Sequence, residues 1–182
     1  MTVLLAAGLG AFGWSLTEYL MHRFDGHGMK GKTRFSKEHL AHHADPKYFA
    51  PTVYKLRAAA GVLFVQSLAL YPFFGLAGIG FALGFGLAYA GYEWLHRRIH
   101  THAPLGHYGR WARKHHFHHH FNSPKDNHGV TSPVWDIVFG TLVPTGQVRV
   151  PRRHAPVWLT DDEGGLIEDF STDYVLAGRP AR

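Results

Sequence analysis

The sequence predicts an all-α fold: an integral-membrane helical bundle of about three membrane helices, near residues 2–21, 53–73 and 81–100, with a polar helical cap built from residues 22–52 and 101–182. Three observations predict it. Met1–Thr17 and Ala58–Tyr92 contain no Lys, Arg, Asp or Glu. All 19 Lys and Arg fall in the two intervening segments, Arg23–Arg57 and Arg97–Arg182. The 16 histidines of this 182-residue chain gather where the apolar stretches end. The length fits a single domain spanning residues 1–182.

Taken in order, the first apolar stretch runs on through Glu18–Met21, and a helix from Thr2 to Met21 is long enough to cross a bilayer core. A signal peptide fits less well, because no basic residue precedes the stretch and no clear cleavage site follows it. The string Gly8-Leu9-Gly10-Ala11-Phe12-Gly13 has the spacing of a dinucleotide-binding loop, but it lies within an apolar helix, where small residues serve packing. Gly26, Gly28 and Gly31 are expected to break the chain after this helix. Ser36–Ala44 reads as a short helix with Ser36 as N-cap, ended by Asp45-Pro46. Pro51-Thr52 starts the next helix. As one helix, Ala58–Tyr92 would be roughly 50 Å long, too long for one crossing. Pro72 and the Gly75–Gly80 segment therefore predict a hairpin, Val53–Phe73 followed by Phe81–His100. Gly80 with Gly84, and Ala82 with Gly86, are small-residue pairs suited to close helix approach. Helix then continues to Phe121, interrupted at Ala103–Gly106. Trp135 and Phe139 share a helix face. The acidic tail beyond Pro144 reads as irregular and solvated.

Three crossings would return both polar segments to one side. The positive-inside rule makes that side cytoplasmic, and the histidines lie there too. The net charge of +6 then reads as a rim facing lipid headgroups, with no nucleic acid as partner. With no cysteine, disulfides, thiolate zinc sites and iron–sulfur clusters are excluded, and a metal would be held by nitrogen and oxygen donors.

Four histidine groups carry the chemistry. His22 and His27 are five apart. His39, His42 and His43 form H-x2-HH, as do His116, His119 and His120, and His96 and His100 form H-x3-H. Positions i, i+3 and i+4 share a helix face, so each triad aims three imidazoles one way. His22 and His27 would not share a face on a continuous α-helix, and a break at Gly26 is expected to bring His27 round. Ten imidazoles exceed what one ion holds, so two ions are expected. Glu18, Glu93 and Asp136 are read either as acceptors for the N–H of ligating histidines or as helix-end and interfacial charges.

These boxes, led by Glu18-Tyr19-Leu20-Met21-His22-Arg23 and Tyr92-Glu93-Trp94-Leu95-His96, resemble those of the fatty acid hydroxylase/sterol desaturase superfamily over about Phe12–Thr141. Gly129-Val130-Thr131-Ser132, with Trp135-Asp136 and Phe139-Gly140-Thr141, is similar to the closing segment of the fatty acid 2-hydroxylases. The resemblance implies a membrane-bound dimetal oxygenase with two iron ions, zinc being a frequent occupant after purification, and the ten histidines as ligands. It implies a lipid substrate hydroxylated with O2 at an unactivated C–H bond, an acyl C2 first of all. It also implies an external electron donor of cytochrome b5 or ferredoxin type, since no such domain is attached within these residues. The family carries an aromatic residue where His128 stands; that histidine, with His102, His107, His115, His118 and His154, falls outside the motif. A sterol or carotenoid substrate, or a non-catalytic metal-binding role, is compatible with the same boxes.

Overall fold

In the computed structural model, residues 2–178 are described; the single-domain expectation also covers Met1 and residues 179–182, which lie outside them. The chain is mainly helical. α1 spans Val3–Leu20, capped by the Thr2 hydroxyl, which accepts from Leu5 N at 3.3 Å. α2 (Arg34–Ala44) is followed by the long pair α3 (Thr52–Phe74) and α4 (Leu76–Thr101), then by α5 (Gly106–Phe117) and the short α6 (Val134–Val138).

α1 and α4 touch backbone to backbone. A Cβ at Gly10 would stand 2.0 Å from Phe81 O, and one at Gly84 1.9 Å from Ala7 O. Gly10 and Gly13 of the Gly8–Gly13 string thus pack on α4, and Gly80, Gly84 and buried Ala82 serve close approach as expected. Gly86 instead makes room for Leu63 of α3.

α3 has no buried residue along its whole length, and Leu56, Phe64, Val65, Leu68 and Phe73 all lie exposed. Beyond the side that meets α4, an apolar helix left this exposed has the character of a helix suited to lipid. Two helices are long and apolar enough to cross a membrane, α1 with its continuation (Val3–Gly28) and α3. α4, the third expected crossing, is long enough but falls below that hydropathy. Its glycines and tyrosines dilute it.

Several local expectations need correction. The hairpin turn is Gly75 alone, at φ +55°, and the Gly-rich stretch to Gly80 is already helical, so α4 begins five residues earlier than expected. Pro72 lies inside α3, two residues before its end. Thr33, not Ser36, caps α2; the buried Ser36 hydroxyl donates to Gly26 O and accepts from Gly31 N, both at 2.8 Å. Gly26 does not break the first helix, which continues to Gly28 as a π-helical segment, Met21–Gly28. A second π segment, His118–Asn122, extends α5. The fold is also not wholly α. β1 (Val148–Pro151) and β2 (Tyr174–Ala177) pair in parallel, and Val148, Val150, Trp158, Leu159 and Tyr174 bury themselves against Ile99, Ala112 and Phe117. The tail is therefore the outer half of a core behind α5. As expected, helix is interrupted before Gly106, whose φ is +61°. The buried Arg113 guanidinium joins the two sides of that gap by donating to the carbonyls of Arg98 (3.0 Å) and His102 (2.9 Å), at the unsatisfied end of α4.

One loop is held from two directions. Glu18 of α1, fully within the structure, accepts from Val130 N (2.6 Å), Thr131 N (3.0 Å) and the Thr131 hydroxyl (2.7 Å). Asp136 of α6 accepts from His128 N and Gly129 N, both at 2.8 Å, from the Thr141 hydroxyl at 2.7 Å and from His115 Nε2 at 3.3 Å. Burial raises the Asp136 carboxyl, but the bonds from His115, His128, Thr141 and Gly129 outweigh it and hold it far below the usual carboxylate range. Its contribution is therefore in place at neutral pH and lost only in strong acid. Gly129 is required here, since a Cβ would stand 2.1 Å from Ser132 O. Trp135 and Phe139 dock the same unit on α1, against Phe12 (5.4 Å between ring centres) and Tyr19 (5.1 Å).

Two stability tests follow from this packing. Gly84→Ala forces α1 and α4 apart and should cost about 1–3 kcal/mol, lowering the melting temperature in detergent by several degrees. Gly91→Ala, in the same helix but facing open space, should leave it unchanged or slightly raised. Asp136→Asn presents an amide to backbone donors that need an acceptor, and should cost about 3–5 kcal/mol, as breaking a buried charged network does. The same thermal melt reads both.

Candidate metal centre

The ten histidines singled out by spacing converge, and they sort into two groups of five. His22, His27, His39, His43 and His119 form one; His42, His96, His100, His116 and His120 form the other, with one ring nitrogen from each member lying within 4.8 Å of the others in its group. The two groups meet where His43 and His120 stack, 4.0 Å between ring centres.

The sorting follows from helix geometry. At 3.6 residues per turn, i and i+4 differ by about 40° around the axis, whereas i+3 lies about 60° to the other side of i. His39 and His43 therefore enter one group while His42 enters the other; His116 and His120 likewise part from His119. The triads do not each aim at one point, as equal facing would require. His96 and His100, at i and i+4 on α4, stay together. His22 and His27 stay together for a different reason. In a π segment the hydrogen bond runs from i to i+5, which stacks residues five apart on one side. Their rings are 5.4 Å apart. Gly26, between them, leaves space for the His39 ring, which a Cβ would approach to 2.8 Å.

Three members are aimed by backbone carbonyls. His22 Nδ1 bonds His128 O at 2.5 Å, His42 Nδ1 bonds Tyr48 O at 2.8 Å, and His119 Nδ1 bonds Asp126 O at 2.7 Å. A carbonyl oxygen can only accept, so in each ring the proton sits on Nδ1 and Nε2 carries the lone pair. Those lone pairs point at other nitrogens: His27 Nε2 is 2.9 Å from His119 Nε2 and from His39 Nε2, and His100 Nε2 is 3.1 Å from His42 Nε2 and 3.0 Å from His116 Nε2. His22 Nε2, His43 Nε2 and both nitrogens of His120 are buried with no hydrogen-bond partner. Unpaired buried lone pairs are costly, and in both groups a cation at the centre would satisfy them. Nitrogen-only sets of this kind suit zinc, iron, copper or nickel.

Protonation does not compete. Burial first, and neighbouring imidazoles second, hold His39, His116, His119 and His120 well below the usual histidine range. Burial lowers His43 to about 2 and His42 to about 4. At neutral pH these rings are uncharged and free to donate.

The carboxylates do not serve as imidazole acceptors for the ten. Glu18 and Asp136 hold the loop at 128–131, Asp136 reaching only His115 among the rings in bonding distance, and Glu93 pairs with Lys55. The acceptors that do the aiming are main-chain oxygens of Tyr48, Asp126 and His128, and main-chain oxygens leave no mark in a sequence. His115 is a satisfied interior histidine, as its place outside the motif implies. His128 is different: it is buried against the first group.

A cavity of about 200 Å³ opens on this centre, between α3, α4, α1 and α2. His22 and His39 of one group and His42 and His96 of the other line its inner end; Ala58, Ala59, Val62, Leu63 and Phe85 line its outer walls.

With that geometry in view, comparison with known proteins is specific. A family model described as fatty acid hydroxylase matches residues 7–141. A dihydroceramide fatty acyl 2-hydroxylase of Arabidopsis thaliana is 31% identical over 80% of this chain and 62% of its own length. The fatty acid 2-hydroxylase of Macaca fascicularis is 33% identical over 75% of this chain and 39% of its own, so the chain spans between two fifths and three fifths of these relatives. The solved structure of full-length scs7p, in which only the hydroxylase domain is visible, superposes with a TM-score of 0.63 at 29% identity, covering 78% of this chain and 56% of that one. The chain belongs to the fatty acid hydroxylase family, close to its 2-hydroxylases.

Proposed function

We propose that this chain is a membrane-bound, O2-dependent lipid hydroxylase that holds two iron ions, one in each group of five imidazoles, and hydroxylates a fatty acyl chain at C2. The observation that carries this reading is the apolar cavity ending on rings of both groups. A storage or sensing site has no need of an apolar channel to its ions, whereas a C–H bond must be brought against the oxidant in the absence of water.

The paired ions would supply O2 reduction, with two electrons from an external donor of cytochrome b5 or ferredoxin type and two protons, giving hydroxylated lipid and water. The protein's own part is to bind and orient. Neutral imidazoles, aimed by the carbonyls of residues 48, 126 and 128, keep both centres in place without a mobile charged ligand. Ala58, Ala59 and Gly86, small residues in the walls from α3 and α4, leave room in the cavity for an alkyl chain to lie. Phe35, Phe49 and Tyr92 add aromatic rings to its lining.

The bilayer placement belongs to the same proposal. α3 crosses, and the single-residue turn at Gly75 returns α4 across beside it. α1 packs on α4 as the third span. All histidines and basic residues then share the cytoplasmic side.

Expression in a host lacking its own acyl 2-hydroxylase, followed by mass spectrometry of hydrolysed lipids, should reveal 2-hydroxy fatty acids. A hydroxylated sterol or polyene in their place would move the substrate elsewhere in the superfamily; a fully metallated protein giving no oxidised lipid at all would overturn the reading. The purified chain should carry two metal ions. His119→Ala should retain about one of them and reduce product to background.

A further inference from the structure

We propose that His128 supplies an eleventh imidazole to the centre, as a sixth nitrogen donor for the ion in the group of His22, His27, His39, His43 and His119. The proposal rests on the reading of the two groups as ion sites and adds a residue that the spacing of the boxes does not contain.

The side chain is 2% exposed, and its Nδ1 has no hydrogen-bond partner. The nearest acid, Asp136, lies 3.8 Å away through an oxygen already taken by His128 N–H and the Thr141 hydroxyl. That distance is beyond a hydrogen bond. A buried imidazole left in this way carries a cost unless something else takes up its polarity. What stands beside it is the first group. Its ring centre is 5.2 Å from His119, 5.6 Å from His22 and 6.0 Å from His27. Neighbouring members of the group stand 4.3 Å (His22–His119) to 6.3 Å (His22–His43) apart, so His128, outside the five-membered cluster, keeps a neighbour's distance from three of its rings. Among the described residues, no histidine outside the ten comes comparably close to the second group.

The position is built. Asp136 holds the backbone N–H groups of His128 and Gly129, while His128 O receives the Nδ1 proton of His22. One residue thus orients a member of the group through its carbonyl and presents a ring of its own to that group. With Asp136 out of hydrogen-bonding reach, the unpartnered Nδ1 is the nitrogen left to donate. The two ions are then unequal. The first is surrounded by six imidazoles and has no vacancy. The second, with five imidazoles, keeps the open position that exogenous ligands need.

The test loads the purified full-length chain with Co2+ alone and reads visible absorption together with ion release to EDTA. In His128→Phe, which fills the space without a nitrogen, two ions should still bind. The absorption should intensify as one ion drops from six to five nitrogens, and that ion should be held at least about tenfold more weakly. In His128→Gly, added imidazole should restore the wild-type spectrum. If His128→Phe gives a spectrum and EDTA competition superimposable on wild type, the proposal is overturned while the two-ion reading stands. If the wild-type chain itself binds fewer than two Co2+ ions, that reading fails and takes the proposal with it. Should neither variant fold, X-ray absorption on the wild-type cobalt protein decides: a mean above five nitrogens per ion supports the assignment, and five or fewer overturns it.

Discussion

Everything in this fold answers to one demand, that ten imidazoles be taken out of water with their lone pairs converging. An imidazole has two nitrogens, and in the neutral ring one must give a proton while the other offers a pair. The structure meets the first need at His22, His42 and His119 with backbone carbonyls. It leaves the second facing inward, nitrogen against nitrogen near 3 Å. Without cations that arrangement is unfavourable at many points at once. It is held by elements that would pack well without it: the glycine seam of α1 and α4, the Arg113 bridge from α5 to α4, and the apolar core behind Phe117.

Phe117 shows how α5 and its π extension carry both jobs. Ring 117 turns into the core with Trp158 and Tyr174, while rings 116, 119 and 120 turn to the centre. A sequence of five histidines in six positions becomes intelligible once one face is apolar and the other is a donor array. The small sheet has no part in the centre. It backs Phe117, and Asp173 beside β2 anchors it to α5 through Arg110 (2.5 Å) and Lys114 (3.0 Å).

The mainly helical fold and the convergence of the ten histidines were legible because both depend on spacing. Uncharged runs mark α1 and the α3–α4 hairpin, and histidines at three and four apart mark helix faces. What spacing could not supply was a change of helix type. His22 and His27 fit no α-helical face, and the segment that joins them is π-helical with Gly26 inside it. Nor could spacing divide the triads, since their division turns on the angle between i+3 and i+4 and on where neighbouring helices stand. The tail was misjudged because β1 and β2 are four residues each and pair across more than twenty residues. Neither carries enough alternation to show. The carbonyl acceptors were invisible in principle, for every residue has one.

The carboxylates complete the electrostatic argument. Ten neutral donors would do nothing to offset the charge of two bound cations, and carbonyl acceptors would add none. The buried acids near the centre, Glu18 and Asp136, stand one step back, on the backbone of residues 128–131. Both fix the loop whose carbonyl orients His22, and Asp136, held ionised by its hydrogen bonds, would place a negative charge within the same low-dielectric interior as bound ions, where attraction falls off slowly with distance. An acid bound directly to a ring would tie its charge to that ring's position; an acid bound to the loop supplies the same field while leaving the donor set made only of imidazole. That separation of aiming from charge balance explains why the motif positions hold no Asp or Glu, and why the acids are buried at the loop and not at the rim.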